Sequence, residues 1–159
     1  MRSRPWFALV LFLVSAFGAS GIGAAATAHS VHTWYPALAK PAWNPPAAVF
    51  APVWTALYIL MAFAAWRAWR AAASPVSARA IVSLYAFQLV LNALWSVLFF
   101  GLRHPGLALI EIILFWILLL ALQFRLWRLD RLAGILWLPY LAWVTFAISL
   151  NAGIYRLNR

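Results

Sequence analysis

Three sets of residues carry most of the chemical information in this 159-residue chain. Trp54, Tyr58 and Met61 recur at i, i+4 and i+7. Gln88, Asn92, Trp95 and Phe99 recur at i, i+4, i+7 and i+11. Tyr140, Trp143, Ala147 and Asn151 recur at i, i+3, i+7 and i+11. On helices each set occupies one face. Aromatic rings and side-chain amides share these faces, and two uses fit. The amides can hydrogen-bond between helices as packing contacts. Alternatively, the rings form the walls of a cavity and the amides its few polar anchors, which describes a ligand pocket. The pattern alone leaves both open.

A second feature is the segment from Trp34 to Pro46, which holds Pro36, Pro41, Pro45 and Pro46 beside Trp34, Tyr35 and Trp43. Proline fixes φ, so the segment is stiff. It reads either as a lid across helix ends or as an aromatic belt at a membrane interface. Glu111 is the one carboxylate within a long apolar run. It invites a coupled-proton role, but its place early in a helix suggests headgroup level, near Arg103. His29 and His32 are three apart, yet no nearby His, Cys, Asp or Glu completes a metal set, so no metal site is expected. No Ser/His/Asp set, phosphate loop or carboxylate pair is present, and acid–base hydrolysis lacks its parts. The chain has no cysteine, which excludes disulfides, thiolate catalysis and cysteine-held clusters.

The elements that position these residues follow from composition. Hydrophobic residues make up 67% of the chain and charged residues only 9%, against about 25% charged in soluble domains. That points to an all-α integral membrane protein. Twelve Lys and Arg against two Asp and Glu give a net charge of +10, but they flank long apolar runs, so nucleic acid is not the expected partner. A span needs about 20 apolar residues. The charge-free runs predict a single domain over 1–159, a bundle of five transmembrane helices at about 6–28, 46–69, 79–101, 106–127 and 132–155. Residues 29–45 form the lid loop between the first two. No segment alternates polar and apolar residues, which disfavours a barrel.

Arg2, Arg4, Arg67, Arg70, Arg79, Arg125, Arg128 and Arg131 fall on one side of the bundle. Lys40, Arg103, Arg156 and Arg159 fall on the other. The positive-inside rule then puts the N-terminus in the cytoplasm and the lid loop outside. Helical spans favour a bacterial inner membrane over an outer one. Arg2, Arg4 and the Ala26-Thr27-Ala28 end of the first run also resemble a signal peptide. The long apolar run and Trp6 favour a retained span. Pro52 and Pro139 lie within spans, where neighbouring groups tolerate them. The small residues Gly18 to Ala24 permit close helix contact. Leu150, Tyr155 and Arg159 fit a loose sterol pattern of little specificity.

The motif Trp34-Tyr35-x-x-Leu38-x-Lys40-Pro41-x-Trp43-x-Pro45-Pro46, followed by Phe50, Trp54, Leu57-Tyr58 and Met61, resembles the TspO/translocator protein family. So do Gln88-Leu89-x-x-Asn92-x-x-Trp95-Ser96-x-x-Phe99-Phe100-Gly101 and Pro139-Tyr140-Leu141-x-Trp143-x-x-Phe146-Ala147-x-x-Leu150-Asn151. The likeness runs through nearly the whole chain in order. It implies a five-helix bundle, commonly a homodimer, with a pocket capped by the long loop. It implies binding of tetrapyrroles such as protoporphyrin IX, and of isoquinoline-carboxamide and benzodiazepine ligands, as a sensor, regulator or sequestering receptor. No obligatory cofactor is implied; porphyrin enters as ligand, and membrane lipid surrounds the bundle. Carried over by motif, the ligand-binding positions are Tyr35, Trp54, Asn92, Trp95, Trp143, Phe146, Ala147 and Leu150, and Tyr58 joins them from the stripe of the second helix. Some bacterial relatives degrade porphyrin in light, a role that falls on Trp54 and Trp143. Transport of porphyrin or another hydrophobic ligand is the further alternative. The family's sterol segment matches poorly, because Arg156 follows Tyr155 directly.

Overall fold

The computed structural model describes residues 5–159. Arg2 and Arg4, used above for orientation and for the signal-peptide comparison, lie outside the described residues. Five long helices are present: α1 (Pro5–Thr27), α2 (Ala47–Ala71), α3 (Pro75–Ser96), α4 (Pro105–Leu129) and α5 (Arg131–Leu157). A 3-10 turn spans Tyr35–Ala37, and a π-helical turn spans Val97–Gly101 directly after α3. Each long helix is long and apolar enough to cross a membrane.

Local chemistry sets the helix ends. The apolar run predicted a third helix from 79, but α3 starts at Pro75. Proline suits the first helical position, and the Ser74 hydroxyl accepts the Ser77 N–H at 3.1 Å as the cap. Arg79 therefore lies inside the helix. At α4, Pro105 again opens the helix and His104 Nδ1 accepts the Leu107 N–H at 3.2 Å. Both α2 and α5 continue through their internal prolines, Pro52 and Pro139.

The helices form a closed ring in the order α1, α2, α5, α4, α3, with α4 and α5 the most extensive pair. Large apolar side chains cover the outside: Phe7, Val10 and Val14 on α1, and Ile110, Leu114 and Ile117 on α4, are exposed. An apolar exterior of this extent has no place in water and suits lipid. Inside, Trp137, Tyr140, Phe115, Met61 and Leu119 are almost fully buried. Buried indoles find partners: Trp137 Nε1 donates to the Leu119 carbonyl at 3.2 Å and Trp66 Nε1 to the Pro5 carbonyl at 2.7 Å.

One residue, Asp130, separates α4 from α5. Its Oδ1 accepts the Ala133 N–H at 3.0 Å, capping α5, and its Oδ2 accepts Arg67 Nη2 at 2.8 Å, tying the turn to α2. Burial pushes the Asp130 carboxyl up, but the Ala133 N–H and the Arg67 guanidinium outweigh this and hold it below the usual value. A depressed carboxyl stabilises the fold above its unfolded value of about 3.9, and this contribution is lost as pH falls through the folded value. Asp130→Ala should therefore lower stability by about 1 kcal/mol at neutral pH. Thermal unfolding of the two proteins in detergent should converge as the solution is acidified below about pH 4.

Among the described residues, Arg67, Arg70, Arg79, Arg125, Arg128 and Arg131 gather at one end of the ring. Lys40, Arg103, Arg156 and Arg159 gather at the other, with the 28–46 connection.

Candidate ligand cavity

The three stripes divide at one depth. Below it they are bonded to each other. Tyr58 on α2 donates its hydroxyl to Asn92 Oδ1 at 2.6 Å. Asn92 Nδ2 donates to the Tyr140 hydroxyl at 3.0 Å, and Tyr140 donates to Gln88 Oε1 at 2.8 Å. Gln88 Nε2 reaches Met61 Sδ at 3.7 Å. This chain joins α2, α3 and α5 at the bundle centre and leaves each group a partner. The packing use of the amides therefore holds for this layer.

Above it the same stripes separate and line a cavity of about 810 Å³, within the range of roughly 300–1,000 Å³ common for ligand pockets. Trp54, Asn92, Trp95, Trp143, Ala147 and Asn151 all face it. The ring walls are ordered by contacts behind them. Trp54 leans on Tyr58 with centroids 5.6 Å apart, and Phe50 meets Trp143 edge-on at 6.0 Å. Trp95 stacks on Phe99 at 5.0 Å, and its Nε1 donates to Asn151 Oδ1 at 3.0 Å. Asn151 Nδ2 in turn donates to the Pro105 carbonyl at 2.8 Å. Trp95 is thus fixed both by stacking and by a hydrogen bond.

The π-helical turn has a consequence at this wall. It carries Phe99 and Phe100, which pack against each other at 4.8 Å and both meet Tyr35, at 6.3 and 5.5 Å. A π turn inserts a residue into the helical register, so the two rings point together toward the loop.

The loop lies over the opening. Tyr35, Pro36, Lys40, Asn44, Pro45 and Pro46 line the cavity from above. Tyr35 donates its hydroxyl to Asn44 Oδ1 at 3.0 Å. Burial pushes the Tyr35 phenol up, a shift partly offset by the Asn44 bond, so it stays a neutral donor. Lys40 Nζ lies 4.8 Å above the Tyr35 ring and donates to the carbonyls of Pro36 and Leu38 at 3.2 and 3.0 Å. The loop is also fastened to α5. Asn158 accepts the Ala39 N–H at 3.0 Å and donates to the Ala39 carbonyl at 2.9 Å. Gly153 lies under the loop, where a Cβ would meet Pro41 Cγ at 3.0 Å.

All nine positions singled out from sequence, Tyr35, Trp54, Tyr58, Asn92, Trp95, Trp143, Phe146, Ala147 and Leu150, lie on the wall of this one cavity. One other expectation is corrected. Glu111 is not paired with Arg103. It is 7% exposed and faces inward, because the α4 turn that carries it packs inside the ring. Arg103 neither pairs with it nor lines the cavity; its Nε donates to Ser30 Oγ at 3.3 Å. Sequence reasoning also missed two walls. Ser20, Gly23, Ala24 and Thr27 of α1, and Ile112 and Phe115 of α4, line the cavity. The α1 residues recur at i, i+3, i+4 and i+7, a small-residue stripe that could have marked a cavity wall.

The architecture defines a class: a five-helix integral membrane protein enclosing an aromatic cavity under a proline-stiffened lid. The comparisons name it. The TspO/MBR family model matches residues 8–156. A protein of Rhodobacter capsulatus called protein CrtK is 35% identical over 150 residues, 94% of each chain. The tryptophan-rich sensory protein of Cereibacter sphaeroides is 41% identical over 125 residues, 79% of this chain and 77% of that one. The translocator protein of Sus scrofa is 37% identical over 158 residues, 98% of this chain and 92% of that one. The chain belongs to the TspO/MBR family.

Proposed function

We propose that the cavity binds a flat, apolar tetrapyrrole of the protoporphyrin IX type, and that the protein acts as a membrane sensor or sequestering receptor for it. The observation that carries this reading is a cavity walled by Trp54, Trp95, Trp143, Phe50 and Phe99 with Lys40 as the one cation in its lining among the described residues. A planar macrocycle stacks on Trp and Phe faces. Its carboxylates would meet Lys40, and neither Glu111 nor Asp130 lines the cavity. The sensory role follows the name of the tryptophan-rich sensory protein of Cereibacter sphaeroides. Isoquinoline-carboxamide and benzodiazepine ligands, also flat and aromatic, fit the same walls. Orientation with the lid outside and the arginine-rich end in the cytoplasm of a bacterial inner membrane belongs to the same proposal, as does a homodimer.

The test is a protoporphyrin IX titration of the protein in nanodiscs, read from the porphyrin absorption band in the dark. Saturable binding is expected; a linear, non-saturating response would reject the reading. Lys40→Met should weaken the free acid about fivefold. It should leave the dimethyl ester, which has no carboxylate, unchanged. Equal weakening of both would assign Lys40 to shape rather than charge.

A second reading has its own observation. Trp54 and Trp143 both face the cavity, so an excited porphyrin would have indole electron donors beside it. Illumination should then bleach bound porphyrin in the wild-type protein faster than in a Trp54→Phe, Trp143→Phe variant. Equal bleaching would leave binding without photochemistry.

A further inference from the structure

Glu111 is the buried ionisable group that the cavity reading does not use. It stands six residues after the start of α4, roughly 9 Å along the helix axis. It is 7% exposed. Neither of its carboxyl oxygens has a hydrogen-bond partner among the described residues. The next residue, Ile112, and Phe115 one turn on both line the cavity, so Glu111 stands on the part of α4 that forms that wall.

Among the described residues no counter-ion is paired with it. The arginines of α2, α3, α4 and α5 all lie within four residues of a helix end. Arg103 is bonded to Ser30, and the other acid, Asp130, is paired with Arg67 at the far end of α4. The titratable group in electrostatic reach of Glu111 is Tyr140 on α5, which also interacts with Tyr58 on α2 and Tyr85 on α3. These are neutral hydroxyls, three of them in or beside the hydrogen-bonded layer below the cavity. An ionised carboxylate without donors, cations or water in such a place carries a desolvation cost of several kcal/mol. A bound proton removes that cost. Water in the adjoining cavity lowers it too, by offering donors to the anion.

We propose that Glu111 is a proton-binding site coupled to the cavity: it holds its proton while an apolar ligand fills the cavity, and releases it when water replaces the ligand. The coupling is reciprocal. Filling the cavity takes up a proton, and a protonated Glu111 favours the filled state. The ligand class that this favours is neutral and apolar at the deep end, with any acidic group at the Lys40 end. The proton site itself stands whichever ligand fills the cavity; the coupling arm below rests on the porphyrin reading.

The chain has only two acidic side chains, which makes the site directly observable. Infrared difference spectra of the full chain in nanodiscs should show the carbonyl stretch of a protonated carboxylic acid at neutral pH. The band should fade as pH rises and be missing from Glu111→Gln. Dicyclohexylcarbodiimide, which adds a protonated carboxyl across its C=N bond, should label Glu111 and leave Asp130 unmodified by peptide mass analysis. Identical spectra for wild type and Glu111→Gln, or label on Asp130 in place of Glu111, would overturn the proton site. With protoporphyrin IX dimethyl ester bound, the fading should move to higher pH, and ester affinity should fall up to about tenfold per pH unit beyond the titration. In Glu111→Gln that affinity should be flat with pH. Bound ester with no change in the band's titration would overturn the coupling. Failure of the ester to bind appears separately, as an unshifted porphyrin absorption band, and counts against the porphyrin reading.

Discussion

Protoporphyrin IX binding is expected to weaken about 100-fold when Trp54 and Trp143 are both replaced by alanine. The two indoles stand on α2 and α5 and line the same space. Each stacked ring contributes about 1.5 kcal/mol beyond general burial, and the pair therefore about 3 kcal/mol. Neither residue is part of the closely packed layer below; both are only partly buried. The variant should keep most of its stability, so lost affinity can be separated from lost fold. Trp→Phe at both positions keeps a ring face and should cost only about fivefold. The measurement is the dark titration for all three proteins. Loss of affinity in the phenylalanine pair as large as in the alanine pair would contradict a stacking role.

Gly134→Leu should destabilise the fold by about 3 kcal/mol. A Cβ at this position would lie 2.6 Å from Trp127 Cε3 and 3.0 Å from the Trp127 Cα. The Trp127 ring can rotate, but its backbone cannot retreat without parting α4 from α5. The Gly134 carbonyl also accepts Gln123 Nε2 at 3.0 Å, a buried bond that parting would break. Gly134→Ala makes the same Cβ contact with no further bulk and should cost about 1–2 kcal/mol. Thermal unfolding in detergent should rank wild type above Gly134→Ala and Gly134→Leu below both. Because α5 carries Trp143, Phe146, Ala147 and Leu150, ligand binding should fall in step with stability in this series. In the tryptophan series it should not.

What the residues disclosed, and what they hid, has a physical basis. The stripes on α2, α3 and α5 were legible because ring and amide side chains at helical spacing are rare in hydrocarbon. The lid was legible because its prolines and aromatic residues have no use in a slack tether. Periodicity gives a face but not a depth, so it could not show that Gln88 and Tyr140 close the floor while Trp95 and Trp143 line the space above. The α4 wall was hidden because Leu, Ile and Phe run around the whole helix, and Ile112 looks like its lipid-facing neighbours. The α1 wall was hidden because Gly23 and Ala24 shape a cavity by what they lack. Glu111 faces inward because helix rotation sets its face, which distance from the helix start does not reveal. The π-helical turn at Val97–Gly101 leaves no mark in composition.

On the proposed function, the one cavity under the lid takes the porphyrin. Ala147 lies on its wall and carries almost no side chain. Ala147→Trp would put an indole into the space while leaving the other stripe residues, Lys40 and the polar layer in place. The decisive measurement is quenching of tryptophan fluorescence by protoporphyrin IX in this variant and in the wild-type protein, both confirmed as folded by their unfolding midpoints. The wild-type signal should saturate at one porphyrin per chain, and the variant should show no saturable phase. Saturation of the variant with wild-type affinity would place the porphyrin elsewhere on the protein and contradict the account.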